Sequence, residues 1–340
     1  MASTRPETNR ETGPETRPQT GSETGRDTVR RALGRIWSAD LPVARVAYVT
    51  AAAVFTSGLV HLGVLLVSGG SWEGPLSMRK AMTFGLSFGL TLATVVWATS
   101  FLTMPRRSRG WLLGAFTVVC VVEPALVTMQ AWRGVPSHFN FETGFDTAVS
   151  MSLAIGGAVI ILTAVGFTVA AMVGGAAMAR SMRVAVRFGF VILLVALATG
   201  AVMIARGVAQ ARTGHAQVAY TTAGALKPLH AVAMHAILVV PGLAWLLRFT
   251  NWSEARRVRL VWTAIASYAV LTVVVGVEVF AGISPLNAPP VPAALSLVAV
   301  VALACIGGVA LSAVLRESRR RTGVPAGASP GDEQPVREIG

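Results

Sequence analysis

Charge is scarce in this sequence: Asp, Glu, Lys and Arg make up 13% of its 340 residues, against roughly 25% in water-soluble domains. With a mean hydropathy of +0.61, the chain does not have water as its main solvent. Cysteine is nearly absent too. Cys120 and Cys305 both fall inside apolar stretches, which excludes a disulfide framework and leaves them as small hydrophobes. Signatures are missing as well: there is no CxxCH for covalent haem, no HExxH or HxxxH for zinc-dependent hydrolysis, and no Gly-rich phosphate loop. ATP is not implied.

What the chain does have is apolar runs, at residues 46–67, 81–104, 111–129, 148–176, 188–205, 229–247, 260–281 and 291–315. Each is near the roughly 20 residues that cross a bilayer core as a helix. The first run lies too far from the start, and is too long, for an ordinary signal peptide. The expected fold is all-α: an integral membrane bundle of eight transmembrane helices over residues 41–316. Residues 1–40 hold PET, RET and SET in a loose repeat with almost nothing apolar before Ile36. That tail, and the tail at 317–340, lack the apolar material that offsets ordering entropy and are expected to be disordered and cytoplasmic.

The cationic residues test the span count, because Lys and Arg beside spans are biased to the cytoplasm. With both termini inside, 23 of the 29 Lys and Arg fall on the cytoplasmic side. The other 6 are Arg79, Lys80, Arg133, Arg206, Arg212 and Lys227. Removing or adding one span inverts this bias for everything after it. A multi-pass protein of the cell membrane, N-in and C-in, follows. The formal net charge of +13 sits in short loops at span ends, where anionic headgroups at the cytoplasmic face are the natural partner rather than nucleic acid. Gly85 and Gly89, Gly156 and Gly157, and Gly307 and Gly308 are positions for close helix contacts.

Ionisable residues inside a bilayer cost several kcal/mol unless paired or hydrated, so the few present are site candidates. They are His61, Glu123, His235 and Glu278, with Arg79, Lys80 and His230 at span mouths. On the eight-span topology His61, Glu123 and His235 each lie about six residues, roughly 10 Å, below the outer boundary. His138 and His215 fall in outer loops, so all five histidines belong to the outer half. The loop at 130–146 mixes Trp132, Arg133, His138, Asn140, Glu142 and Asp146 with phenylalanines, as interfacial anchors or as a lid over a cavity. Glu123 precedes Pro124, which frees a backbone carbonyl beside a carboxylate.

The stretches WEGPLSMRKAMTFGLSFGLT (72–91), QAWRGVPSHFN (130–140) and HAVAMHAILVVP (230–241) resemble a family of uncharacterised bacterial polytopic membrane proteins. That resemblance implies no activity, and it draws attention to the same outer-side residues.

Four functions fit these residues. One is an outward-facing intramembrane site, built on His61, Glu123, His230 and His235, that binds or transports a proton, a metal ion or a small polar ligand. No inverted repeat is visible to strengthen it. A second is a redox protein with haem b held non-covalently between His61 and His235. A third is a membrane metallo-hydrolase with a divalent metal. Against it, His230 and His235 are five residues apart and point about 140° away from each other on a helix. The fourth is a structural role in which the polar groups only join helices.

Overall fold

The computed structural model describes residues 34, 37, 41–69, 72, 74, 76–175, 177–215, 219 and 224–322. Most of the two expected tails, 1–40 and 317–340, lies outside them. Among the described residues there is no strand, and eight helices are long and apolar enough to cross a membrane. They are α1 (Pro42–Ser68), α2 (Arg79–Thr99), α3 (Arg106–Trp132), α4 (Gly144–Val173), α5 (Arg180–Arg212), α6 (Lys227–Leu247), α7 (Glu254–Phe280) and α8 (Pro290–Thr322). The chain is an all-α multi-pass membrane protein.

Helix ends depart from the apolar runs for local reasons. The expected second span ran on to residue 104, but α2 stops at Thr99. There the Ser100 and Thr99 hydroxyls donate to the carbonyls of Trp97 and Val96, at 2.6 and 2.9 Å, and Pro105 blocks continuation. Conversely α5 extends well beyond 188–205, because its flanks, rich in Ala and Arg, continue the helix.

Successive helices reverse direction. One end of the bundle, the loop end, carries the connections after α1, α3, α5 and α7; the other, the arginine end, carries those after α2, α4 and α6. At the arginine end guanidinium groups satisfy carbonyls left open where helices finish. Arg109 donates to Val96 O at 3.3 Å. Arg187 reaches Ala171, Met172 and Gly174, and Arg257 donates to Thr250 O at 2.7 Å. A cation on the negative end of a helix is stabilised by both the hydrogen bond and the helix dipole. Some arginines of this end therefore cap helices as well as facing the surroundings.

Adding 148 to the residue numbers of α2 and α3 reproduces the bounds of α6 and α7: Arg79–Thr99 becomes Lys227–Leu247, and Arg106–Trp132 becomes Glu254–Phe280. The buried positions follow. Leu113, Phe116, Cys120 and Val127 of α3 map onto Val261, Ala264, Tyr268 and Val275 of α7, all buried. Gly134 and Gly282 both have positive φ, 68° and 75°. The next amides, of Val135 and Ile283, return to Gln130 O and Glu278 O at 3.1 and 2.8 Å. Helix neighbours also recur, α1 on α2 and α5 on α6, then α3 on α4 and α7 on α8. The bundle is a tandem repeat of two four-helix halves. Four is even, so both halves enter the bilayer from the same end, a parallel repeat rather than an inverted one.

The halves pack internally through glycine. Gly85 and Gly89 of α2 press on Gly58, Ala51 and Phe55 of α1, and a Cβ on either would stand 2.6 Å from backbone. In the second half the small residue has moved to α5, where Gly189 lies against Ile237 and Pro241 of α6. Gly156 meets Glu123. The expected contacts of Gly157, Gly307 and Gly308 do not form, since nothing lies within 4 Å of where their Cβ would be.

Candidate functional site

At the loop end the 133–143 connection is built as an ordered plug. Thr143 caps α4 by accepting Asp146 N–H at 3.1 Å and donating to Asp146 Oδ2 at 2.7 Å. Oδ1 of the same buried carboxylate accepts Gln130 Nε2 at 2.9 Å and Arg133 at 2.6 Å. Arg133 also contacts Gln130 Oε1 and lies 4.7 Å from the Phe145 ring centre. These groups join α3 to α4. Asn140 folds onto Ser150, its amide 3.3 Å from the hydroxyl, and its own Oδ1 accepts the amide of exposed Glu142 at 3.1 Å.

Phe139 takes a φ of 60°, rare for an aromatic residue. Its ring is buried against Gly207 of α5, where even a Cβ would clash. His138 beside it packs on Phe84 of α2, ring centres 5.7 Å apart. Burial, then the charge of Lys80, holds its imidazole well below the ordinary histidine value of 6.5. The aromatic loop is thus more than a set of anchors, although Trp132 and Phe145 are exposed.

The three residues expected at one depth face different neighbours. His61 of α1 donates from Nδ1 to Ser57 O at 2.7 Å, and its Nε2 accepts the Trp132 indole N–H at 3.1 Å. Glu123 of α3 is buried against Gly156 of α4. His235 of α6 faces α2. His230, one turn before it, bonds instead to Ala196 O of α5 at 2.7 Å, as the angular separation of the pair requires. Arg79 lies 5.6 Å from the Trp72 ring centre. Glu278 is 2% exposed, and neither carboxyl oxygen has a hydrogen-bond partner among the described residues. Among those residues no three His, Cys, Asp or Glu side chains gather as a metal site.

A cavity among the described residues lies elsewhere, on the seam where α2 of one half meets α6 of the other. It is a space of about 20 Å³ between α2 and α6, lined by Ser87, Leu90, Thr91 and Thr94 on one side and Met234, His235, Ile237 and Leu238 on the other. Ser87 and His235 are equivalent positions in the repeat, as are Leu90 and Leu238. The Ser87 hydroxyl meets the Met234 sulfur at 3.9 Å, a weak contact. His235 bonds Ala231 O through Nδ1 at 2.7 Å, which leaves Nε2 for the cavity. Ser87 and His235 both sit eight residues into their helices, about 12 Å deep. Below the cavity Trp97 and Trp245 close the seam, ring centres 6.4 Å apart. Each is backed edge-on by the phenylalanine four residues on, Phe101 at 5.2 Å and Phe249 at 4.8 Å.

Of the residues singled out in the sequence, only His235 lines this space. Ser87, Thr91 and Thr94 were missed. Their signal is a hydroxyl stripe at i, i+4 and i+7 on one helix face. The fold and seam define an eight-span helical membrane protein with a small cleft between two repeated halves, its lining part hydroxyl and imidazole and part aliphatic. No protein-family model matches the chain, and neither a curated protein nor a solved structure is significantly similar to it.

Proposed function

We propose that this chain is a binding or transport protein of the cell membrane whose α2–α6 cleft admits a small polar solute from the extracytoplasmic side. The observation that carries the reading is the position of the cleft. Ser87, Thr91, Thr94 and His235 bring polar groups to an otherwise aliphatic lining at membrane depth, on the seam between two parallel repeats. Transporters built from such repeats hold their substrates at the repeat interface near the midplane; this is an argument by architectural analogy. The arginine bias supports the orientation, with the arginine end in the cytoplasm and the loop end outside. The cleft is closed toward the cytoplasm by Trp97 and Trp245 and lies nearer the loop end, the arrangement of an outward-facing state.

The haem and metallo-hydrolase readings gain no support from the geometry. His61 uses Nε2 to accept the Trp132 indole, and its contacts and those of His235 lie on different neighbours.

The test is solvent access. In a variant carrying Cys120→Ala and Cys305→Ala, the substitution Ser87→Cys is expected to react with a membrane-impermeant methanethiosulfonate applied to intact cells. A cysteine at Leu297, 64% exposed on α8, serves as the lipid-facing control and is expected to stay unmodified. A Ser87→Cys thiol that reacts only after denaturation in SDS overturns the reading.

A further inference from the structure

The seam has an electrostatic direction. Neither α2 nor α6 contains an Asp or Glu, and both begin at the loop end, so their positive dipole ends point there. Lys80 stands seven residues before Ser87, and Lys227 seven before Met234. Seven residues are two turns, so each lysine lies on the face that lines the cleft, about 10 Å nearer the helix start. The two ammonium groups feel each other across the seam, and Lys80 also acts on His138. Two ammonium groups thus stand on the loop-end side of the cleft, with His138 neutral beside Lys80. Such a mouth attracts anions and repels cations before either reaches the cleft.

Inside, the chemistry changes. The lining offers no fixed charge: hydroxyls from Ser87 and Thr91, the Met234 thioether, and the exposed His235, whose Nδ1 is bonded to Ala231 O so that Nε2 is its acceptor, set among Leu90, Ile237 and Leu238. Thr94 already donates to Leu90 O at 2.8 Å. A permanent anion gains hydroxyl donors here but faces the His235 lone pair. A protonated acid fits both, because its O–H donates to Nε2 while its carbonyl oxygen accepts from Ser87 or Thr91. With about 20 Å³ available, roughly one or two water-sized groups can be seated.

We propose that the seam between α2 and α6 is a site for a short monocarboxylic acid, drawn in as its anion past Lys80 and Lys227 and seated, with a proton, between Ser87, Thr91 and His235. This rests on the reading of the cleft as a solute site and names the solute class. Proton and carboxylate bind together, so the ligand enters the bilayer interior as a neutral unit and avoids the cost of an isolated buried charge. His230 is set apart by position: its ring bonds Ala196 O of α5, and it is not among the residues that line the cleft. Among the described residues the titratable and charged side chains bearing on the seam include Lys80, Lys227, His138 and His235, and also His230, which feels the charge of His235.

The probe is formate, the smallest monocarboxylate. Thermal unfolding of the full chain in detergent is followed in sodium formate, sodium chloride and sodium gluconate at one ionic strength and slightly acid pH. Formate is expected to raise the melting temperature above that in gluconate, whose bulk excludes it. Ser87→Ala and His235→Phe should each weaken the half-saturating formate concentration about tenfold, the loss of one hydrogen bond inside a cavity. Lys80→Gln and Lys227→Gln should weaken it several-fold at low salt and less at high salt. Thr91→Val is the second lining variant should His235→Phe fail to fold.

An equal shift in chloride overturns the carboxylic-acid assignment. So does the absence of a formate shift, or one that survives Ser87→Ala together with Thr91→Val. Failure here alongside labelling of Ser87→Cys removes the solute class and leaves the hydrated cleft, whereas an unlabelled Ser87→Cys removes the cleft itself.

Discussion

Trp97 and Trp245, equivalent residues of the two halves, meet edge to face with ring planes at 84°. Equivalent residues can touch only where the repeat's symmetry element passes between them, so this pair marks the centre of the seam. It is also the floor of the cleft. An edge-to-face pair adds about 0.5–1.5 kcal/mol beyond the area it buries. Trp97→Ala and Trp245→Ala should therefore be coupled by about that amount in a double-mutant cycle read by thermal unfolding in detergent. Strict additivity would show that the two rings do not act as one closure.

The α1–α2 interface gives a sterically determined expectation. A Cβ on Gly85 would lie 2.6 Å from the Gly58 backbone, and backbone cannot rotate aside as a side chain can. Gly85→Val should lower stability by about 1–3 kcal/mol. The same change at Gly157, which has open space around it, should cost far less. Comparable melting temperatures for the two variants would mean that α1 and α2 do not cross at Gly58 and Gly85.

The span count was legible in the sequence because lipid imposes one crude requirement, about 20 apolar residues per crossing, and eight runs met it. The repeat was not. Lipid accepts any apolar side chain, so Phe116 and Ala264, or Cys120 and Tyr268, can exchange while the buried face persists. Identity survives at scattered points such as Trp97 and Trp245, Arg109 and Arg257, and Gly134 and Gly282. The seam was hidden for another reason. Ser and Thr in membrane helices often only bond their own carbonyls, as Thr94 does, so a hydroxyl stripe does not announce a cavity. Depth alone grouped His61, Glu123 and His235, and depth does not report which way each points around its helix.

Acid should weaken the loop end through His138. Its folded-state value lies well below the ordinary 6.5, so below about pH 6.5 the unfolded chain takes up a proton that the folded chain refuses. The His138 contribution is complete above that pH and is lost as pH falls beneath it. Melting temperature should decline from pH 7 toward pH 5, and His138→Gln should flatten that decline. An unchanged slope in the variant would assign the acid sensitivity to other groups.

Gln130 and Glu278 occupy the same position in the two halves and have opposite surroundings. Gln130 is fully buried, its amide nitrogen on Asp146 and its oxygen on Arg133. Glu278 is equally enclosed, but from residue 279 to 315 the chain has no charged side chain, and neither carboxyl oxygen is bonded among the described residues. Removing a bonded partner leaves other buried groups unsatisfied, whereas altering an unbonded one disrupts nothing. Gln130→Leu should therefore cost about 1–3 kcal/mol, because Asp146 and Arg133 each lose a partner. Glu278→Gln keeps the shape, breaks no bond, and should leave stability unchanged or raised. Thermal unfolding of both variants in one detergent decides the matter: a Glu278→Gln loss as large as that of Gln130→Leu would mean Glu278 has a bonded partner after all.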